Sequence, residues 1–358
     1  MTPPLSRPPA PCPPKSQNPA TLAIALTLGD PAGIGPEVVG KALTDPNLLT
    51  WRQSQPFPIR FTVVGDRALG ERWLANSAVV AEAVNWLDVG MRVSVPVGHG
   101  NAQTGEASFQ YLQAAIDGAL RGDFGAIVTA PIAKSGWQAA GHAYPGQTEV
   151  LGERTQSDRP GMLFVARSPH SDWILRVLLA TVHIPVSQVP LVLTPMLLTT
   201  KLNTLRDSLR QDFGLEGGTL AVAGLNPHAG EGGYLGTEEE TWLKPTLALW
   251  QAANPAWRVW GPVPPDALWV GAARAWHQGG EAPVAYLALY HDQGLIPVKM
   301  LAFDRAVNVT IGLPFVRTSP DHGTAFDIAG QGIADPSSTI AAIQWAIKLT
   351  AQRRVTSP

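Results

Sequence analysis

The chain has 358 residues, is 45% hydrophobic and 15% charged, and sets 26 basic side chains against 28 acidic ones, for a formal charge of −2. That balance supports one large α/β unit or two lobes around a buried core, and it argues against nucleic-acid binding, because no basic block would neutralise an extended run of phosphates. The single cysteine, Cys12, allows no intrachain disulfide, no apolar run reaches the roughly 18 residues of a membrane span, and the N-terminus has no apolar signal core, so a cytoplasmic protein without membrane partners is expected.

Residues 1–20 hold eight of the 33 prolines. Proline removes backbone donors and favours extended chain, which predicts a disordered tail. Thr21–Leu28 is a short apolar run closed by Gly29-Asp30-Pro31, a buried strand and its turn. Gly35-Pro36-Glu37 then opens a helix to about Leu43, with Pro36 suited to a first turn. Trp51–Pro58 reads as a surface connection. Phe61–Val64 is a strand, Ala107–Leu120 a helix and Ala126–Ala130 a strand. Trp173–Thr181 and Thr219–Ala223 repeat the strand pattern. Thr237–Ala252 reads as a helix whose Glu238, Glu239 and Glu240 suit the positive end of its dipole. Ala285–Tyr290 and Val307–Ile311 are strands, and Ser337–Leu349 is a closing amphipathic helix. No internal repeat is visible. The alternation predicts an α/β fold with a largely parallel sheet flanked by helices.

Three histidines share one context: His183, His228 and His291 each lie just past the C-terminal end of an apolar strand. Loops beyond strand ends converge on one crevice in open α/β sheets. Three neutral imidazoles with an open position would suit a divalent ion; each alone would equally serve as a hydrogen-bonded loop residue. Asp292 either orients His291 or caps the following turn. His99, His170 and His277 read as surface residues. Lys299, Asn308 and Arg317 are spread over a strand-turn-strand segment; Lys and Arg both hold carboxylates or phosphates, Arg with a bidentate fork. The glycine-rich segments 29–37 and 226–233, and the turn around His322-Gly323-Thr324-Ala325, are either ligand-facing loops or plain tight turns. The first is not a G-x-G-x-x-G fingerprint, and neither a Walker A motif nor a G-x-S-x-G elbow occurs, so an ordinary Rossmann site, NTP hydrolysis and serine-hydrolase chemistry have no support.

At these residues the chain resembles the 4-hydroxythreonine-4-phosphate dehydrogenase family of vitamin B6 synthesis. The likeness runs from about Leu22 to the last helix. It is strongest in Gly29–Glu37, Thr129–Lys134, Gly224–Gly233 and Tyr290–Gly330, where the chain reads YHDQGLIPVKM and then VNVTIGLPFVRTSPDHGTAFDIAG. The resemblance implies a two-lobed fold like that of isocitrate and isopropylmalate dehydrogenases. Residues 21–150 with about 290–358 would form a nucleotide-side lobe, and about 151–289 a second lobe carrying metal ligands and dimer contacts. It implies a homodimer with an active site shared across the interface, NAD or NADP, and one divalent ion per site (zinc, magnesium or cobalt). His183, His228 and His291 are assigned to the metal, with His291 reaching the partner's site. Lys299, Asn308 and Arg317 are assigned to the substrate, together with Gln147 and Thr148. By analogy with related dehydrogenases, His322, Gly323, Thr324 and Ala325 lie near the nucleotide's adenosine. One position departs from the family: Gln147 stands where a histidine is common, and an amide donates a hydrogen bond but carries no proton or charge.

The implied reaction is oxidation and decarboxylation of 4-phosphohydroxy-L-threonine to 3-amino-2-oxopropyl phosphate, with Lys299 or Asp266 as proton-transfer groups. Asp266 reads alternatively as a turn or helix-cap residue. The nearest alternative substrate is erythronate or threonate 4-phosphate. An acyl-phosphate transferase of the same superfamily, which would need no metal, and a non-catalytic metal-binding protein are the alternatives from other classes.

Overall fold

A computed structural model describes residues 21–74, 84–94, 96–158 and 160–356. The expectation of a disordered tail at 1–20 falls outside the described residues. The strands, in chain order, are β1 (Leu22–Thr27), β2 (Ile59–Gly65), β3 (Val84–Asp88), β4 (Ala126–Thr129), β5 (Gly161–Arg167), β6 (Ile174–Leu179), β7 (Gly218–Ala223), β8 (Trp257–Val263), β9 (Ala285–Ala288), β10 (Val307–Ile311) and β11 (Val316–Pro320). All join one sheet in the order β3-β2-β1-β4-β11-β10-β5-β6-β9-β7-β8. The pairings are parallel on both flanks, and only β11–β10, β10–β5 and β5–β6 are antiparallel. The largely parallel α/β fold is therefore observed, and its two flanks run in opposite directions about a central antiparallel seam.

Parallel strands buried on both faces must be apolar throughout. Leu22, Ile24, Ala25 and Leu26 of β1, and Leu220, Ala221 and Val222 of β7, are fully buried. The covering helices are α1 (Gly35–Thr44), α2 (Pro46–Gln53), α3 (Arg67–Leu74), α4 (Ala102–Leu120), α5 (Lys134–Ala139), α6 (Gln147–Thr155), α7 (Pro195–Phe213), α8 (Lys244–Ala253), α9 (Pro265–Gln278), α10 (His291–Ala302) and α11 (Ser337–Thr356).

Three differences from the sequence reading have local causes. Trp51 belongs to α2 rather than to a connection, because Asp45 accepts the Leu48 amide and Pro46 occupies the first turn. Helix α4 begins at Ala102, five residues earlier than expected: Asn101 and Thr104 cap each other reciprocally. Lys299 lies on α10, not in a strand-turn-strand segment. Pro297 sits inside that helix, where it removes one backbone bond without ending it. The helix packs on β6 and β9.

Candidate active site

The site is best built outward from Arg317. Strand β11 pairs with β4 on one side and β10 on the other, which places the guanidinium between Thr129 of β4 and Thr310 of β10. Its Nε and Nη2 donate to Thr129 Oγ1 (3.1 and 2.7 Å), and Nη1 donates to Thr310 Oγ1 (2.9 Å). The residue is only 3% exposed, and among the described residues no carboxylate forms an ion pair with it. Burial pushes its pKa down to about 10, with Glu149 acting weakly in the other direction. A buried cation bonded only to neutral hydroxyls is poised for an anion from outside the chain.

Arg317 lines a cleft of about 200 Å³ with Thr129, Lys134, Gln147, Thr148, Glu149, Met162, His183, Asn308, Ser319, His322 and Gly323 among its walls. The structure thus brings Gln147, Thr148, Asn308, Arg317, His322 and Gly323 together. Gln147 starts α6 and donates from Nε2 to the Ala130 carbonyl (3.2 Å). Its Oε1, Asn308 Oδ1 and His322 Nε2 are shielded from solvent and have no protein partner. Such orphans are uncommon in folded proteins and call for a ligand or ordered water.

Lys299 is not a wall of this cleft. Its Nζ forms an ion pair with Asp321 Oδ2 at 2.8 Å, one residue before His322, so it stands close to the segment that lines the cleft. Thr324 and Ala325 also lie beyond the cleft. The Thr324 carbonyl accepts the Ile34 amide (2.9 Å), and a Cβ on Gly33 would come within 2.9 Å of that oxygen. The glycine at 33 therefore lets the 29–37 loop press against the 322–325 turn. On the far side of this contact lies a hollow of about 250 Å³ lined by Pro31, Gly33, Glu37, Arg72, Trp73 and Gly330.

The three strand-end histidines do indeed follow neighbouring parallel strands, β6, β9 and β7. Only two meet: the rings of His183 and His291 have centres 5.6 Å apart. They share a hollow of about 170 Å³ with Val182, Ile184, Val186, Val189, Tyr290 and Asp292. Asp292 Oδ1 lies 2.7 Å from His291 Nδ1, which selects the orienting role over the turn cap. Crowding at the cleft lowers the pKa of His183: desolvation contributes most, then Lys134 and His291, against a smaller pull from Glu149. The neutral, ligating form of its ring is favoured.

His228 stands apart and exposed. Residues 228–232 have φ of 52°, 51°, 80°, 42° and 67°, a run of left-handed backbone that L-residues resist. Glu239, fully buried, stabilises its base by accepting the amides of Leu225 and Asn226 (both 2.8 Å) and the Asn226 side chain (2.9 Å). The run Glu238–Glu240 was read only as helix-dipole chemistry, so this anchoring role is new. Among the described residues no group of three His, Cys, Asp or Glu side chains is spaced to hold a metal ion. Asp266 is exposed in the first turn of α9, outside the cleft.

Sequence reasoning missed Thr129 and Thr310, the hydroxyls that hold Arg317, and gave no role to Lys134 or Glu149. The Thr129–Lys134 stretch was visible as a motif, but nothing in its spacing tied it to β10 and β11.

A continuous α/β sheet with a buried, anion-ready arginine in a crevice defines an α/β enzyme scaffold built to take an anionic ligand. A β-decarboxylating dehydrogenase from Thermococcus kodakarensis shares the fold at a TM-score of 0.50 and 14% identity, over 93% of this chain and 83% of that one. A sequence model of the pyridoxal phosphate biosynthetic protein PdxA matches residues 43–346, and the chain belongs to that family. It is 54% identical over 342 residues to a 4-hydroxythreonine-4-phosphate dehydrogenase of Synechocystis sp., covering 92% of this chain and 96% of the relative. A crystal structure of 4-hydroxythreonine-4-phosphate dehydrogenase from Klebsiella pneumoniae superposes with a TM-score of 0.75 at 36% identity, over 92% of this chain and 98% of that one.

Proposed function

We propose that this chain is an NAD(P)-dependent, divalent-metal-dependent dehydrogenase that oxidises and decarboxylates 4-phosphohydroxy-L-threonine to 3-amino-2-oxopropyl phosphate. The observation that carries the reading is Arg317, fully buried in the cleft and paired to no carboxylate among the described residues. Such a cation favours a ligand carrying phosphate or carboxylate.

His183, His291 and His228 would hold the metal. Two imidazoles on one ion, with metal–nitrogen bonds of about 2.0–2.1 Å, put their ring centres on the order of 5 Å apart. The 5.6 Å between His183 and His291 fits that spacing, and Asp292 keeps the His291 ring oriented. The third donor does not arrive within one chain. A homodimer with a shared site supplies it, and the surface beside the histidines suits such docking. Val186, Leu191 and Met196, which follow His183, and Ile296, Met300 and Phe303 on and just past α10, are all exposed apolar side chains. Asp266, exposed on its own chain, fits a proton-transfer role only in a site shared this way. The nucleotide would lie across the turn His322-Gly323-Thr324-Ala325 toward the hollow that contains Trp73 and Arg72.

When bound, the ion supplies Lewis acidity at the substrate hydroxyl, and the nicotinamide supplies a hydride acceptor. The chain's own groups do the rest. Arg317 and Lys134 anchor the anionic ends and fix the reacting carbon. The substrate hydroxyl would pass its proton to the partner's Asp266 as its carbon passes hydride to that acceptor, leaving a β-keto acid. Loss of CO₂ returns an electron pair to the new carbonyl, and Lys299, ion-paired with Asp321 beside the segment that lines the cleft, would deliver the proton that quenches the enolate. No helix of the described residues is long and apolar enough to cross a membrane. From the metabolic role of its relatives, we take the enzyme to act in the cytoplasm.

The test is NAD⁺ reduction by the full chain with 4-phosphohydroxythreonine, with and without chelator. NADH formation that chelation abolishes is expected; no NADH with or without added divalent ion overturns the reading.

A further inference from the structure

The cleft carries two kinds of unmet demand. One wall holds cations, the buried Arg317 and the exposed Lys134. The others carry acceptors: Gln147 Oε1 and Asn308 Oδ1 are both unpaired and screened from water, and Glu149 lines the same space. The Gln147 amide is not free to choose its orientation. Its Nε2 donates to the Ala130 carbonyl, so the oxygen is the end left over. A buried acceptor without a donor costs free energy that a ligand donor recovers.

We propose that Gln147 and Asn308 form a donor-reading subsite that selects a ligand bearing an ammonium group over one bearing a hydroxyl at the same carbon. The inference rests on the proposed dehydrogenase reading for the identity of the cleft and adds the basis of its selectivity. A phosphorylated amino acid meets both demands at once: its phosphate and carboxylate face Arg317 and Lys134, and its ammonium donates to two amide oxygens beside the Glu149 carboxylate. A sugar-acid phosphate brings the same anions but only a single neutral donor at that carbon. Charge-assisted hydrogen bonds are roughly twice as strong as neutral ones, and a site built around a specific donor rejects analogues that lack it far better than an apolar pocket does.

The experiment uses the full chain and two ligands, 4-phosphohydroxythreonine and the four-carbon hydroxy-acid 4-phosphate of matching stereochemistry. Binding is measured by calorimetry without nucleotide, and NAD⁺ reduction is measured separately. The wild-type chain should bind the amino acid at least about tenfold more tightly. Gln147→Met keeps length and removes the acceptor; it should erase most of that preference by weakening the amino acid alone. Gln147→Glu should restore or increase the preference. Inorganic phosphate binding, read in each variant, should stay within about twofold, which shows that the Arg317 wall is intact. Equal binding of the two ligands by the wild type overturns the inference. So does an equal loss for both in Gln147→Met, or absence of binding by either. Selective binding without NADH formation would sink the dehydrogenase reading and leave this one standing, and turnover of both ligands with no binding preference would do the reverse.

Discussion

The cleft around Arg317 and the histidine edge beside it are made differently. In the cleft, β4 interlocks with the consecutive strands β11 and β10 from a distant part of the same chain. Thr129 and Thr310 fix the guanidinium from either side, and the remaining orphan atoms wait for a ligand. At the edge, two imidazoles approach, the third stays out on a left-handed turn, and exposed apolar side chains surround the gap. One half is prepared by a single chain; the other needs something added. Anion recognition and metal chemistry should therefore respond separately to perturbation.

The largest expected effect comes from the prepared half. Arg317→Met should weaken phosphorylated-ligand binding by about 2–5 kcal/mol, the cost of removing one partner of a buried charged pair. The same change should leave the unliganded melting temperature level or higher, because an unpaired buried cation is replaced by an apolar chain. Calorimetry and thermal melts on one preparation read both; a large drop in melting temperature would mean that the arginine holds the fold rather than the ligand. Next, rigorous chelation should lower NAD⁺ reduction by about a hundredfold or more, while inorganic phosphate binding changes little. Loss of both together would erase the distinction between the two regions. On the proposed homodimer, Phe303→Asp with Met300→Asp should shift the chain to monomer in sedimentation and cut turnover by about tenfold or more, with phosphate binding retained.

The smallest effect concerns Asp30, which braces the loop beside the cleft: its amide donates to the Pro131 carbonyl, and its carboxylate accepts from Ala32 and Thr104. Desolvation by burial raises its pKa above 3.8, against those hydrogen bonds. The folded state thus holds this proton to higher pH than the unfolded chain. Stability from Asp30 is present below 3.8 and is lost as pH rises through the folded value. Asp30→Asn lacks that loss, so its stability relative to wild type should climb with pH through this window; denaturant melts that stay parallel from pH 3.5 to 7 would contradict it.

Much of this was readable from residues alone. Apolar runs at Thr21–Leu28, Ala126–Ala130 and Ala285–Tyr290 marked the buried parallel strands, and the position of His183, His228 and His291 at strand ends followed from them. Strand β5 and strand β8 were not assigned. β5 was overlooked although Pro160-Gly161 and Ser168-Pro169 bracket its apolar run, and β8 is an edge strand containing Arg, Gly and Pro with several exposed positions. Helix α7, with its periodic leucines capped by Thr194, was overlooked although its cap and C-terminal Gly214 were both present. The left-handed turn at His228 was out of reach, since Ala229 and Glu231 give no hint of positive φ and the conformation depends on Glu239, fourteen residues beyond Leu225. Likewise, only the register of β10 and β11 with β4 reveals that Thr129 and Thr310 serve Arg317.

That register has a consequence for biosynthesis. Strands β11 and β10 lie between β4 and β5 in the sheet, yet they are made nearly 140 residues after β5. Until residues 307–320 leave the ribosome, β4 and β5 are paired on one side only, by β1 and β6, and each presents an unsatisfied edge on the other. The growing polypeptide must carry two exposed seams through most of its synthesis. Stopping translation before β10 should thus yield a chain that aggregates or recruits chaperones, and one that has no anion site at all.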